Sequence, residues 1–158
     1  MRTAAVLGSA SCLGDDIMRL LDFGPWGGLV IAVNETGVFY TGHIDHWVTL
    51  HGEKLDWWRE HRTVGNQDYV PWVVPSCDGS SGAAAVLVAR DELQCERIVL
   101  CGVPMDNSRH IRRGPWSAYD NHRAWWERSD LTAVRSMSGW TRELLGAPTR
   151  AWLNATGE

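Results

Sequence analysis

The sequence predicts an α/β protein with a three-layer, Rossmann-like architecture, in which helices cover both faces of a mainly parallel sheet. Short apolar runs of strand length alternate with segments whose apolar residues recur at helical spacing. The runs are apolar at nearly every position, which is typical of parallel strands buried on both faces. With 158 residues, of which 44% are hydrophobic, the chain suits one domain with its own core. We therefore expect a single Rossmann-like domain over residues 1–158.

The apolar and periodic segments give the order of the elements. Strands are predicted over Thr3–Leu7, Leu29–Val33, 44–50, 69–74, Arg97–Cys101 and 133–136. Pro71 restricts the fourth strand to an edge of the sheet, because proline cannot donate a hydrogen bond to a neighbouring strand. Helices are predicted from Leu13 to a stop at Gly24-Pro25, and over 53–62, 83–93, 118–128 and 140–145. The polar and basic stretch 107–115 is interpreted as a mobile loop.

Composition argues against several classes of function. The net charge of −4 provides no basic field for nucleic acid or for an anionic membrane. No apolar run approaches the roughly 20 residues that span a bilayer, and no signal peptide precedes the first strand. The four cysteines form no CxxC pair and no zinc spacing, and His46 and His51 point to opposite faces of their strand. We expect a cytoplasmic protein with reduced thiols and no bound metal.

The candidate site follows from the predicted sheet, because such sheets bind ligands outside the carboxyl ends of their strands. The loops at those ends contain small or polar residues: Gly8, Ser9 and Ser11; Asn34; His51; Ser80, Ser81 and Gly82; and Gly102, Val103, Pro104 and Met105. Small residues before a helix let backbone N–H groups approach an anion. Alternatively, the first loop is only a tight turn, a serine of the 80–82 loop caps a helix, and Asn34 caps a turn rather than contacting a base or ribose.

The order of these loops resembles a known family. The matching pieces are Ala5-Val6-Leu7-Gly8-Ser9-Ala10-Ser11-Cys12-Leu13, Leu29 to Asn34, Asp45 to His51, Ser80-Ser81-Gly82-Ala83, and Arg97-Ile98-Val99-Leu100-Cys101-Gly102-Val103. Together they resemble the bacterial lipooligosaccharide sialyltransferases and the related Rossmann-like glycosyltransferases and flagellin-glycosylation proteins. The chain is far shorter than these enzymes and lacks most of their acceptor-binding lid.

The resemblance implies a site for the cytidine nucleotide of a CMP-sugar donor, with no further cofactor. By position, Gly8, Ser9 and Ser11 would face the phosphate or sugar, and Asn34 and His51 the nucleotide. The 80–82 loop would lie near the sugar, and residues 102–105 near the base. The resemblance also implies a histidine as general base, for which His122 is the first candidate and His110 the second.

Three functions from different classes remain open at this point. The first is a small glycosyltransferase that uses a nucleotide-sugar. The second is a module, of the kind that phages use as accessory proteins, that binds and sequesters a nucleotide or nucleotide signal without turnover. The third is an assembly protein with a degenerate Rossmann fold, in which some of the ten tryptophans form a homo-oligomer surface.

Overall fold

The computed structural model describes residues 1–155 and contains the predicted three-layer α/β fold. Its six strands are all parallel and lie in the order β4-β3-β2-β1-β5-β6. Their bounds are β1 Thr3–Leu7, β2 Leu29–Val33, β3 His46–Thr49, β4 Val70–Val73, β5 Arg97–Cys101 and β6 Val134–Ser136. Each predicted strand is present, and the strand that contains Pro71 lies at the edge, as expected. The chain order reverses between β1 and β5, so the switch point of the sheet lies between these two strands.

Helices connect successive strands and cover the sheet on both sides. Their bounds are α1 Leu13–Leu21, α2 Thr36–Phe39, α3 Gly52–His61, α4 Ser80–Leu87, α5 Asp120–Arg128, α6 Gly139–Leu145 and α7 Arg150–Asn154. The short helices α2 and α7 were not predicted, because four or five residues cannot show a 3.6-residue period. Among these helices, none is long and apolar enough to cross a membrane.

The helix predicted over 83–93 is present, and only its start differs from the prediction. It begins at Ser80, and its second half is a π-helical segment, Val88–Glu92. Its first residues, Ser80 to Gly82, have the small and polar composition of a loop. In the structure they pack closely against the turn after β5. A Cβ on Gly82 would lie 2.9 Å from Val103 Cγ1, so the tertiary contact explains the glycine better than a flexible loop does.

The core lies on both faces of the sheet, since alternate residues of each central strand point to opposite helical layers. One face packs against the alanine-rich α4 and against Trp126 of α5. The other face packs against α1, α3 and α7, with Trp47 and Trp58 in its interior. One ring is buried in each of the adjacent pairs Trp57-Trp58 and Trp125-Trp126, namely Trp58 and Trp126. All four cysteines are free thiols.

Candidate functional site

A cavity of about 490 Å³ opens at the carboxyl ends of the strands, at the switch point. Its size lies in the range of small-ligand sites, about 300–1,000 Å³. All the predicted site residues except Ser11 line it: Gly8, Ser9, Asn34, His51, Ser80, Ser81, Gly82, Gly102, Val103, Pro104, Met105, His110 and His122. Ser11 does not line the cavity, because its side chain is exposed to solvent within the turn that follows β1.

The floor of the cavity depends on two glycines in neighbouring turns. A Cβ on Gly8 would lie 2.3 Å from the carbonyl oxygen of Gly102, and one on Gly102 would lie 2.8 Å from that of Gly8. Gly102 also has a φ of +68°. The turns after β1 and β5 therefore approach each other more closely than any side chain permits. This contact brings two segments that are distant in sequence to one site.

The stretch predicted as a mobile loop forms one wall of the cavity. Residues 108–116 fold back as a hairpin, in which Arg109 and Pro115 form an antiparallel bridge. Two backbone hydrogen bonds of 2.7 Å attach this 108–116 hairpin to the loop after β1: Ser11 N–H donates to the Arg109 carbonyl, and Ile111 N–H donates to the Ser9 carbonyl. The hairpin is thus tied to the first βα turn, a pairing that has no signal in the local sequence.

The side chain of Asn34 is oriented by a chain of hydrogen bonds. The backbone N–H of His51 donates to Thr49 Oγ1 over 2.9 Å, and the Thr49 hydroxyl donates to Asn34 Oδ1 over 2.7 Å. Because Thr49 uses its proton for this bond, the oxygen of Asn34 faces Thr49 and the amide nitrogen faces away. Within residues 1–155 that nitrogen donates to no protein group, so the site presents a fixed N–H₂ donor. Of the two alternatives for Asn34, turn cap or ligand contact, this geometry favours the second.

The first turn of α4 forms another side of the cavity. The interpretation that Ser80 or Ser81 caps this helix is wrong, because Gly79 is the N-cap residue and no side chain caps it. Ser80 has a φ of +84°, and its hydroxyl points to Met105 Sδ at 3.9 Å. The first N–H groups of a helix lack partners within the helix. Ser81 and Gly82, the second and third residues of α4, line the cavity, so this helix start suits an anion.

Unusual backbone conformations concentrate at the cavity. Asn34, Ser80 and Met105 line it and have positive φ angles, a conformation that costs side-chain-bearing residues energy. Gln94 is the other non-glycine residue of this kind in the described chain, and it lies elsewhere. Such strain persists where packing fixes it and is common at functional sites.

The two candidate histidines differ in the ring nitrogen that is free. His122 Nδ1 lies 2.6 Å from the carbonyl oxygen of Asp78. A carbonyl only accepts, so Nδ1 carries the proton and Nε2 of a neutral ring is a free base. His110 Nδ1 accepts from the backbone N–H of Arg112 over 3.0 Å, so its neutral ring carries the proton on Nε2. The hydrogen bonds therefore favour His122 over His110 as a general base.

His122 also belongs to a structural contact. Four residues on, Trp126 Nε1 donates to the Gly79 carbonyl over 3.0 Å, so one face of α5 holds the backbone that leads into α4. The His122 ring stacks on Trp116 with 5.6 Å between centroids. A structural role for His122 is thus compatible with the same geometry, and a functional test has to separate the two.

Charged residues also line the cavity; Glu35 was not selected from the sequence, whereas Asp106 belongs to the predicted loop after β5. Glu35 forms an ion pair with Arg113 of the hairpin, and its Oε2 lies 3.9 Å from His110 Nε2. Asp106 Oδ1 accepts from the Ser108 N–H over 2.8 Å. Glu35 directly follows Asn34 at the end of β2. This position beyond a strand end could have identified it from the sequence as a candidate site residue.

Among the described residues, no group of three or more histidine, cysteine, aspartate or glutamate side chains is arranged to hold a metal ion. The four free cysteines include two whose thiols are kept protonated by burial, which raises the pKa of Cys12 to about 11 and that of Cys101 well above its usual range. Neither thiol suits a nucleophile, since the thiolate is the reactive form.

The chain matches no protein-family model, no curated protein and no solved structure. The resemblance to sialyltransferases therefore remains an expectation from short loops, and function has to be inferred from the geometry of the cavity.

Proposed function

We propose that the cavity binds a nucleotide, and that a CMP-sugar-like donor is the first class of ligand to test. The observation that carries this proposal is convergence: two tight turns, the first turn of α4 and the fixed amide of Asn34 meet in one cavity at the switch point. Parallel α/β sheets bind ligands at this place.

The geometry suggests how the ligand lies. A phosphate suits the first turn of α4, where backbone N–H groups and the positive end of the helix dipole favour an anion. The turn after β1 lines the same cavity and presents backbone at Gly8. Trp116 offers an aromatic face for a base or sugar, and the Asn34 N–H₂ group donates to a carbonyl, hydroxyl or ring acceptor.

Asn34→Asp tests this proposal with little change of shape. The new carboxylate still accepts from the Thr49 hydroxyl, and aspartate tolerates positive φ. It replaces the amide donor with an acceptor and adds a negative charge beside the proposed ligand. We expect the affinity for a nucleotide to fall about tenfold or more. Calorimetry and thermal shift with CMP, CDP, UDP and cyclic dinucleotides provide the measurement, since a ligand at a hundredfold excess stabilises the fold by about 2.7 kcal/mol.

Ser11→Ala is the matched control. Ser11 belongs to the same loop as Gly8 but does not line the cavity, so its removal should leave the affinity unchanged. If the folded wild-type protein binds none of these nucleotides, the proposal is wrong and an assembly role becomes the better explanation. In that case, replacing the exposed Trp57 should alter oligomer size.

A second candidate function is transfer of the sugar, and the tautomer of His122 favours it over passive capture. In this reaction Nε2 accepts the proton of an acceptor hydroxyl, and the hydroxyl oxygen forms a bond to the anomeric carbon. The bond from that carbon to the phosphate oxygen breaks, and the nucleotide leaves with the electron pair. The N–H groups at the start of α4 stabilise the charge on the leaving phosphate.

His122→Asn separates catalysis from structure. The asparagine N–H₂ group can still donate to the Asp78 carbonyl, but nothing replaces Nε2. If the protein is a transferase, we expect kcat to fall about 10²–10⁴-fold while nucleotide affinity and Tm stay near the wild-type values. The matched variant His110→Asn should keep kcat at saturating donor close to the wild-type value, since His110 Nε2 carries a proton and is not the base. Nucleotide binding without turnover in the wild type would instead identify a capture module, and a large loss of Tm in His122→Asn would indicate a structural role.

A further inference from the structure

Glu35 occupies a position from which it can contact the sugar of a nucleotide. It follows the carboxyl end of β2, the strand that pairs with β1, and it lines the cavity together with the turn after β1. In parallel nucleotide-binding sheets, a carboxylate beyond the first βα turn can accept hydrogen bonds from ribose hydroxyls. The side chain is 16% exposed, so it is largely removed from water but open to a ligand.

The two carboxylate oxygens of Glu35 differ in their partners. Oε1 accepts from Arg113, which is 61% exposed and lies near the tip of the 108–116 hairpin. Oε2 accepts no hydrogen bond from any residue in the part of the chain that the structure describes. His110 Nε2 lies 3.9 Å from Oε2, which is too far for a direct hydrogen bond. Oε2 is not among the fully buried side-chain atoms that lack a partner, so it is open to the cavity and can accept from a bound ligand.

His110 presents a hydrogen-bond donor, Nε2, that faces Glu35 Oε2 across this distance of 3.9 Å. Its Nδ1 accepts from the Arg112 backbone, so the neutral ring has its proton on Nε2. Burial lowers the pKa of His110, more than the nearby Glu35 raises it, and keeps the ring neutral at physiological pH. An acceptor and a donor 3.9 Å apart can both contact one group that donates and accepts. A hydroxyl is such a group, because its O–H donates while its lone pairs accept.

We propose that Glu35 and His110 bind a ribose hydroxyl of the nucleotide and so restrict the site to ribonucleotides. This inference rests on the proposed nucleotide-binding function and adds a choice of sugar to it. A deoxynucleotide leaves Glu35 Oε2 without its donor, and a site built to bond a hydroxyl discriminates strongly against an analogue that lacks it. The ribonucleotide should bind about 10- to 100-fold more tightly than its deoxy counterpart, the range expected for a hydrogen bond to a charged group.

The experiment compares CMP, UMP, AMP and GMP with their 2′-deoxy and 3′-deoxy counterparts by calorimetry. For the nucleotide that binds, wild-type protein should prefer the ribose form. Glu35→Gln should reduce this preference severalfold, while affinity for the deoxy form changes little. The control Arg113→Gln removes the ion pair but keeps the carboxylate, so it should keep the preference. That result would show that the preference for ribose depends on the Glu35 carboxylate and not on its ion pair with Arg113.

The outcomes separate this inference from the proposed function. Equal binding of ribose and deoxy forms to wild-type protein overturns the inference and leaves nucleotide binding intact. A preference that survives in Glu35→Gln, with the variant folded by thermal denaturation, also overturns it. Absence of binding by every ribonucleotide overturns the proposed function, and the inference with it.

Discussion

Gly8→Ala is expected to destabilise the protein by about 3 kcal/mol and to abolish ligand binding. The added methyl group would lie 2.3 Å from the Gly102 carbonyl oxygen and 2.7 Å from Val103 Cγ2. The nearest atom belongs to the backbone, and the Val103 side chain is short, branched and buried in the core, so the turns after β1 and β5 must separate. These turns form the floor of the cavity, and their separation removes the geometry that any ligand requires. Urea unfolding and calorimetry would measure the two effects.

Gly14→Ala is the matched control for Gly8→Ala. Gly14 lies in the first turn of α1, six residues further along, and a Cβ there meets nothing within 4 Å. Alanine in a helix is favoured over glycine by up to about 1 kcal/mol, so this variant should be as stable as the wild type or more so. A stable Gly8→Ala protein that binds like the wild type would show that the close approach of the two turns is unimportant.

The sheet and the place of the site could be predicted because each rests on local signals. Continuous apolar runs such as Ile98 to Leu100 indicate buried parallel strands, and the rule for carboxyl ends then selects the loops. Ser11 shows the limit of this reasoning: the rule selects a loop, while side-chain direction within the turn decides which members face the cavity. The start of α4 at Ser80 was missed because its composition is that of a loop and its packing is tertiary.

The groups that orient the site were not predictable, since each acts through a contact distant in sequence. Thr49 sits in a buried strand, and only the folded structure shows its bond to Asn34. Arg113 lies 78 residues from its partner Glu35. A local pattern contains no information on such pairings. Residue type and strand position identify candidate ligand contacts, whereas the residues that hold those contacts in place require the tertiary structure.

Asp16 shows the same limit most clearly. By sequence, it is an acidic residue in the first turn of a helix, which suits the helix dipole. In the structure it is completely buried. Its Oδ2 accepts from the Gly102 backbone N–H over 2.8 Å and from the Ser138 hydroxyl over 2.6 Å. One carboxylate oxygen thus joins α1 to the turn after β5 and to the loop before α6, directly beneath the cavity floor.

We expect Asp16→Ala to lower the free energy of unfolding by about 3 kcal/mol, because the variant leaves the buried Gly102 N–H and the partly buried Ser138 hydroxyl without their carboxylate acceptor. For a chain of this size the loss corresponds to a fall in Tm of about 6–12 °C. Calorimetric and urea unfolding would measure it. The nearby Cys12 cannot substitute as an acceptor of similar strength, since burial raises the pKa of its thiol to about 11 and keeps it neutral.

Asp15→Ala provides the comparison that isolates burial from helix position. Asp15 is exposed in the same first turn of α1, so its loss should change stability by no more than about 0.5 kcal/mol. If the two variants proved equally stable, the dipole interaction that they share would account for Asp16, and the bond to Gly102 would contribute nothing measurable. If only Asp16→Ala is destabilised and it also weakens nucleotide binding, the carboxylate positions the Gly102 turn. A residue with no contact to the cavity would then determine the shape of its floor.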